Sequence, residues 1–175
     1  MSNIYVTANT FFGREKYYNK IKRFKGLSIE EVNAALLEGW AEIPNTDIIY
    51  HLGNYAWDPI TSEDTLKLLS SKMINFMFGE YDQALIESLE AFKNIQTNYL
   101  LFNKDIIPIN SKNVVLSFWP LLDWPGKDKG VINVYGKETK IPQDLNGNRI
   151  CASQNLWGYK PVNIDMILEF FNDKK

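Results

Sequence analysis

The hydrophobic positions of this chain fall into two rhythms. In the first half, short apolar runs alternate with longer stretches of helical period. In the second half, short runs follow one another closely. The opening run "NIYVTAN" predicts a buried strand ending at Thr7 or Ala8. Residues 28–41, "SIEEVNAALLEGWA", predict a helix. Ser28 stands three before Glu31, a capping-box spacing, and Ile29, Val32, Leu36, Leu37 and Trp40 recur at helical intervals. "DIIYHL" at 47–52 predicts a second strand. Residues 62–71 predict a helix capped by Thr61 or Ser62, with Leu66, Leu68 and Leu69 inside. "MINFMFG" at 73–79 predicts a third strand, and 82–92 a helix that Asp82 can cap.

The later runs "TNYLLFN", "DIIPIN" and "NVVLSFWP" are joined by Asn, Lys and Asp turns, which predicts hairpins and antiparallel strands. "GVINVYG" at 130–136 reads as a further strand and "NRICAS" at 148–153 as the last. Residues 163–171 read as a C-terminal helix with Asn163 as N-cap. Strand–helix repeated three times, then mostly strands, then a helix, predicts an α/β protein. Two packed mixed sheets flanked by helices are expected, in one domain over residues 1–175.

Composition agrees with a folded core: 45% hydrophobic, 14% aromatic and 23% charged. The net charge of −2 argues against general nucleic-acid binding, which needs a basic face. One stretch is locally basic, "REKYYNKIKRFK" at 14–25. It reads first as a solvated helix or loop face, and second as a contact for a phosphate or an acidic partner. The single cysteine, Cys151, excludes an intrachain disulfide and reads as a small core residue rather than a nucleophile. The single histidine, His51, limits metal and acid–base chemistry. No signal-peptide pattern opens the chain and no apolar run approaches the roughly 20 residues that span a bilayer. The expectation is a soluble cytoplasmic protein with no membrane partner.

Strand ends carry the candidate chemistry. "YVTANTFFG" (5–13), "IIYHLGNYAW" (48–57), "FMFGEYD" (76–82), "VVLSFWPL" (114–121) and "NVYGKET" (133–139) occur in that order. Together they resemble the five motifs of the calcineurin-like metallophosphoesterases, in particular the small bacterial and bacteriophage branch. The tail "NLWGYKPVNIDMILEFF" is similar to that branch's ending. The resemblance implies a four-layer αββα sandwich of two mixed sheets flanked by helices. It also implies a metal site from which this chain departs. The pattern's Asp and His of the first motif are Asn9 and Phe11 here. The second motif's Gly-Asp is Gly53-Asn54. Glu80 and Tyr81 stand in the third motif, with only Gly79 and Asp82 retained. Phe118 replaces the histidine of the fourth. Lys137 and Thr139 replace the two histidines of the fifth.

A two-metal centre clamps phosphate between cations about 3.5–4 Å apart and needs carboxylates and imidazoles to hold them. Neutral amides, rings without nitrogen and a lysine do not supply that charge. The resemblance with these substitutions therefore implies a pseudoenzyme with no metal, no cofactor and no catalytic residue, in which Glu80 pairs with Lys137 across the old site. The residues left there are aromatic, which points to a protein-interaction or structural module. Phe11 and Phe118 read as filling the vacated space or the core, and Phe12, Trp57, Trp119 and Trp124 as candidate partner or ligand contacts. An alternative is non-catalytic binding or sequestration of a nucleotide or phosphate ligand, with the aromatics stacking a base beside Asn9, Asn54 and Lys137. A second alternative is a metal-dependent phosphoesterase with altered ligands. The Ile, Asn and Lys bias and the likeness to the phage branch point to a virus-encoded protein, placed in the host cytoplasm or the virion.

Overall fold

The computed structural model describes residues 2–91, 99–102, 106–139 and 147–173. Among these residues nine strands form two mixed sheets. The first contains β1 (Ile4–Thr7), β2 (Ile48–Leu52), β3 (Met73–Met77), β4 (Tyr99–Phe102) and β9 (Val162–Asn163), in the order β4-β3-β2-β1-β9. β1 to β4 are parallel, and β9 closes the edge antiparallel to β1. The second sheet has the order β5-β6-β7-β8, from Ile107–Ile109, Val114–Ser117, Ile132–Tyr135 and Arg149–Cys151. Five helices accompany them: α1 (Glu15–Tyr18), α2 (Ile29–Ala41), α3 (Pro59–Leu68), α4 (Gln83–Ala91) and α5 (Ile164–Asp173).

Strands β1 to β3 of the first sheet have buried residues on both faces, which is why they read as continuous apolar runs. Ile49, Ile74 and Phe76 face a core with Val32, Leu36 and Trp40 of α2, Leu66 of α3 and Leu85 of α4. Val6, Leu52 and Met77, one position on, face a second core. There they meet Ile109, Leu116, Ile132 and Val134 of the second sheet and Ile164, Ile167 and Phe171 of α5. The period of two along each strand thus sends alternate side chains to helices and to the other sheet.

Local signals explain most of the elements. The capping box of α2 forms as spaced: Ser28 Oγ accepts from Glu31 N at 3.2 Å, and Glu31 Oε2 accepts from Ser28 N at 2.7 Å. Asn163 Oδ1 accepts from Asp165 N (2.9 Å) at the start of α5. The start of α3 differs from the expected 62–71. Asp58 caps it by accepting from Thr61 N at 2.8 Å, and Pro59 at the first position has its φ already fixed for a helix. That shift of three residues leaves Ser62 fully buried and turns Leu68 out to solvent, while Leu66 and Leu69 stay inside.

The late strands also correct the sequence reading. β4 does not pair in a hairpin; it joins the first sheet parallel to β3. Of the runs expected to be antiparallel, only β5–β6 is so, and β6, β7 and β8 are parallel. The strand at 149–151 is followed by β9, which the break at Pro161 hid.

Candidate functional site

All the parallel strands of the first sheet end on one edge, and the connections that leave them meet the connections from the second sheet. Asn9 N donates to Gly53 O (2.9 Å), Phe11 N to Asn54 O (3.0 Å), and Gln154 N to Ala8 O (3.1 Å). Ala8 forms an isolated bridge with Ser153 and Phe12 one with Ala56. Close approach is enforced by glycine. Gly53 has φ 95°, and a Cβ there would lie 2.5 Å from the Phe118 ring and 2.8 Å from Gly79 Cα. A Cβ on Gly79 would lie 2.6 Å from Asn54 Oδ1.

At this meeting point three non-glycine residues hold left-handed backbone: Asn9 (φ 58°), Phe11 (φ 42°) and Asn54 (φ 63°). Asparagine tolerates that region. A phenylalanine there is strained, and such strain persists only where the surroundings impose it. Both asparagines are buried, and their amides form a relay with one direction. Asn9 Nδ2 donates to Gly136 O (2.8 Å) and Ser153 Oγ (3.1 Å). Asn54 Nδ2 donates to Asn9 Oδ1 (2.8 Å), and Tyr81 N donates to Asn54 Oδ1 (3.1 Å). A carbonyl at one end and a backbone N–H at the other fix the orientation of both amides. A carboxylate at position 9 would face Gly136 O without a proton to share. One at position 54 would face Asn9 Oδ1. The donor–acceptor polarity of the floor specifies asparagine at both positions.

Asp82 holds the neighbouring turn. Its carboxylate accepts from Asn54 N, Tyr55 N and Gly79 N, each at 2.6 Å. It stands just before α4 and its carbonyl accepts from Ile86 N, but its carboxylate serves the turn rather than the helix end it was expected to cap. Burial pushes its carboxyl up, against the three donors, which pull it down.

The cavity above the relay has a volume of about 370 Å³ and is lined by Asn9, Phe11, Tyr17, Asn54, Tyr81, Lys137, Glu138 and Asn155. Lys137 Nζ and Glu80 Oε2 form an ion pair across its edge. Both side chains are partly exposed, so the pair contributes up to about 1 kcal/mol. Lys137 Nζ also lies 5.2 Å from the Trp119 ring centroid. Thr139 is exposed and does not line the cavity. Of the expected aromatics, Phe11 and Phe118 are buried, Phe118 within the core between the sheets. Trp57 and Trp119 are about half exposed at 47% and 52%.

Two expected contacts are corrected. Phe12 is fully buried against Trp40 and Tyr55, so it is core and cannot touch a partner. Trp124 is buried at 4% exposure, its Nε1 donating to Val131 O at 2.9 Å with Lys127 and Arg149 over its ring. It braces its own loop. Aromatic residue type does not reveal exposure, and both side chains find their partners through tertiary packing.

His51 lies outside this cavity. It is fully buried, stacked on Trp40 (centroids 6.2 Å apart), with Nε2 2.9 Å from Thr10 Oγ1. Burial lowers its pKa to about 3, so it is neutral at neutral pH. Cys151 is half-buried and its thiol is pushed up by burial to about 11, which suppresses the thiolate.

Sequence reading missed several members of the site. Ser153, Gln154 and Asn155 follow β8 and complete the wall. Gln154 Nε2 donates to Asn9 O (3.0 Å) and Tyr18 OH (2.7 Å), and Asn155 Nδ2 to Glu138 Oε2 (2.8 Å). Arg14 was read only as part of the basic stretch, not of this site: its guanidinium carbon lies 4.1 Å from the Trp57 ring centroid, 4.6 Å from Phe11 and 5.2 Å from Tyr81.

The residues expected from the sequence at metal-ligand positions do not fit a binuclear centre. Asn9 and Asn54 spend their oxygens on the relay, Lys137 puts a cation at the edge, and Phe11, Tyr81 and Phe118 offer no donor nitrogen in their rings. Among the described residues no group of three or more His, Cys, Asp or Glu is placed to hold a metal ion.

No protein-family model matches the chain, and no curated protein matches it. Among solved structures it is similar to a protein of unknown function from Aquifex aeolicus, with a TM-score of 0.66 and 20% identity, over 97% of this chain and 100% of that one. At that identity the likeness speaks to the fold alone. Among the described residues no helix is long and apolar enough to cross a membrane.

Proposed function

We propose that this chain is a catalytically inactive metallophosphoesterase-like protein, a four-layer αββα body that acts as a protein-interaction module. The observation that carries the proposal is the Asn9–Asn54–Tyr81 relay. Two of the positions that the resemblance sets against metal ligands, Asn9 and Asn54, have their amides committed to neutral hydrogen bonds, which supports a site without a cation. The mouth above it carries half-exposed Trp57, Tyr81 and Trp119 with Arg14, residue types favoured as interface anchors. Composition and the likeness to the phage branch support a virus-encoded protein of the host cytoplasm or the virion.

The test is elemental analysis of the purified protein together with a phosphodiester assay in manganese. The proposal expects no bound metal and no turnover above the buffer rate. Near-stoichiometric metal with robust turnover refutes it.

A second reading is supported by the cavity itself. About 370 Å³ with Asn9, Asn54 and Lys137 beside Phe11 and Tyr81 is room for a small phosphate-bearing ligand rather than a whole protein segment. A nucleotide panel screened by thermal shift separates the two, because a ligand that binds only the folded chain raises its melting temperature.

A further inference from the structure

Beyond Arg14 and Tyr17, the basic stretch 14–25 has no part in the cavity. It folds as α1 followed by a 3-10 turn at Lys22–Phe24, fixed by the buried rings of Tyr18 and Phe24. Its six cations, Arg14, Lys16, Lys20, Lys22, Arg23 and Lys25, share one acid, Glu15. Lys67, Lys112, Lys137 and Lys160 pair with carboxylates. Among the described residues no carboxylate meets any of the six.

Both arginines lie against aromatic rings. The Arg14 guanidinium carbon lies 4.1 Å from the Trp57 centroid and 4.6 Å from Phe11. Arg23 lies 5.5 Å from the Phe24 centroid and 5.6 Å from Tyr159. Phe11, Tyr17, Tyr18, Phe24 and Tyr159 form an unbroken run of ring contacts between them, with centroids 4.9–5.3 Å apart. Arg23 spends one donor on Gly158 O (3.1 Å). Arg14 has no acceptor among the described residues. A guanidinium held against rings has part of its freedom already restricted, so less is lost when a carboxylate docks.

We propose that Arg14 and Arg23, with the exposed lysines between them, form a docking face for an acidic segment of a protein partner, whose carboxylates take the two forks bidentately. The inference rests on the interaction-module reading and names the chemistry of its partner. A protein is favoured over a nucleic acid on two grounds. The basic stretch is short in a chain of net charge −2, where a phosphate backbone needs an extended basic track. The half-exposed Trp57 and Tyr81 beside Arg14 also offer the mixed aromatic and arginine surface of a protein interface.

The test is fluorescence anisotropy with the full chain and a fluorescein-labelled peptide rich in glutamate and leucine. Its controls are the same peptide with glutamine for glutamate, and an oligodeoxythymidylate of equal charge. The face predicts binding of the acidic peptide, none of the glutamine peptide, and weakening with salt. The Arg14→Gln, Arg23→Gln double variant should bind at least about tenfold more weakly, and the double lysine variant should recover only part of that, because an ammonium lacks the fork. Unchanged thermal melting of the variants shows that folding is intact. Absence of peptide binding, an unaffected double variant, or equally tight binding of the oligonucleotide overturns the inference. Failure here is distinguishable from failure of the parent reading. Peptide binding that is lost in Trp57→Ala but unaffected by the arginine variants keeps an interaction surface and removes the arginine face, whereas metal-dependent turnover refutes the pseudoenzyme reading without touching this titration.

Discussion

The floor and the rim of the candidate site lie side by side and differ in one respect. On the floor every amide atom of Asn9 and Asn54 that faces the relay has its partner, and Asp82 accepts three backbone donors. On the rim, cations rest on rings, and the Arg14 fork has no acceptor among the described residues. A satisfied buried network makes structure and asks for nothing further. An exposed group is paired only with water, which a partner can displace. The comparison assigns stability to the floor and recognition to the rim.

At neutral pH the largest effect is expected at Asp82. Asp82→Asn turns an amide nitrogen towards backbone N–H groups that the carboxylate now satisfies, leaving buried donors unpaired at a cost of about 3 kcal/mol in urea unfolding. A loss below about 1 kcal/mol would mean that the floor is not held this way. Asn54→Asp comes next. It sets a carboxylate oxygen against Asn9 Oδ1, destabilises by about 2 kcal/mol and gains no manganese affinity.

His51 gives a pH signature of the core behind the floor. The unfolded chain takes its proton near the ordinary 6.5 and the folded chain only near 3, so between those values the unfolded state holds more protons. Stability should fall as pH drops through that window, by up to about 1.4 kcal/mol per pH unit, and His51→Phe should remove this contribution. Smallest of all is the expected effect of Trp57→Ala on stability, within about 0.5 kcal/mol, because the ring is half exposed. Its effect should appear in acidic-peptide binding instead, through loss of the ring that orients Arg14. A large loss of stability there would dissolve the distinction between floor and rim.

Much of the site was legible because it lies at strand ends that follow apolar runs. Asn9, Asn54, Tyr81 and Lys137 do line one cavity, and Glu80 does meet Lys137. The capping box was a local signal and read correctly. What escaped depends on distance along the chain. Gln154 reaches Asn9 across 145 positions, and Arg14 reaches Trp57 only after α1 folds against the cavity wall. No spacing rule connects such pairs. Pairing direction escaped for a similar reason: the short runs near 99–117 look alike whether they enter a hairpin or run parallel in another sheet. Phe12 and Trp124 show that an aromatic in a loop-like stretch can still be core, because burial is decided by what packs over it.

The central claim is that the floor is complete without a cation. Calorimetric titration of manganese into the wild-type protein, beside the Asn9→Asp, Asn54→Asp double variant, tests it most directly. The account predicts no saturable heat in either, because Phe11, Tyr81, Phe118 and Lys137 still supply no ligand. Saturable binding near one or two ions per chain in the wild type would contradict it.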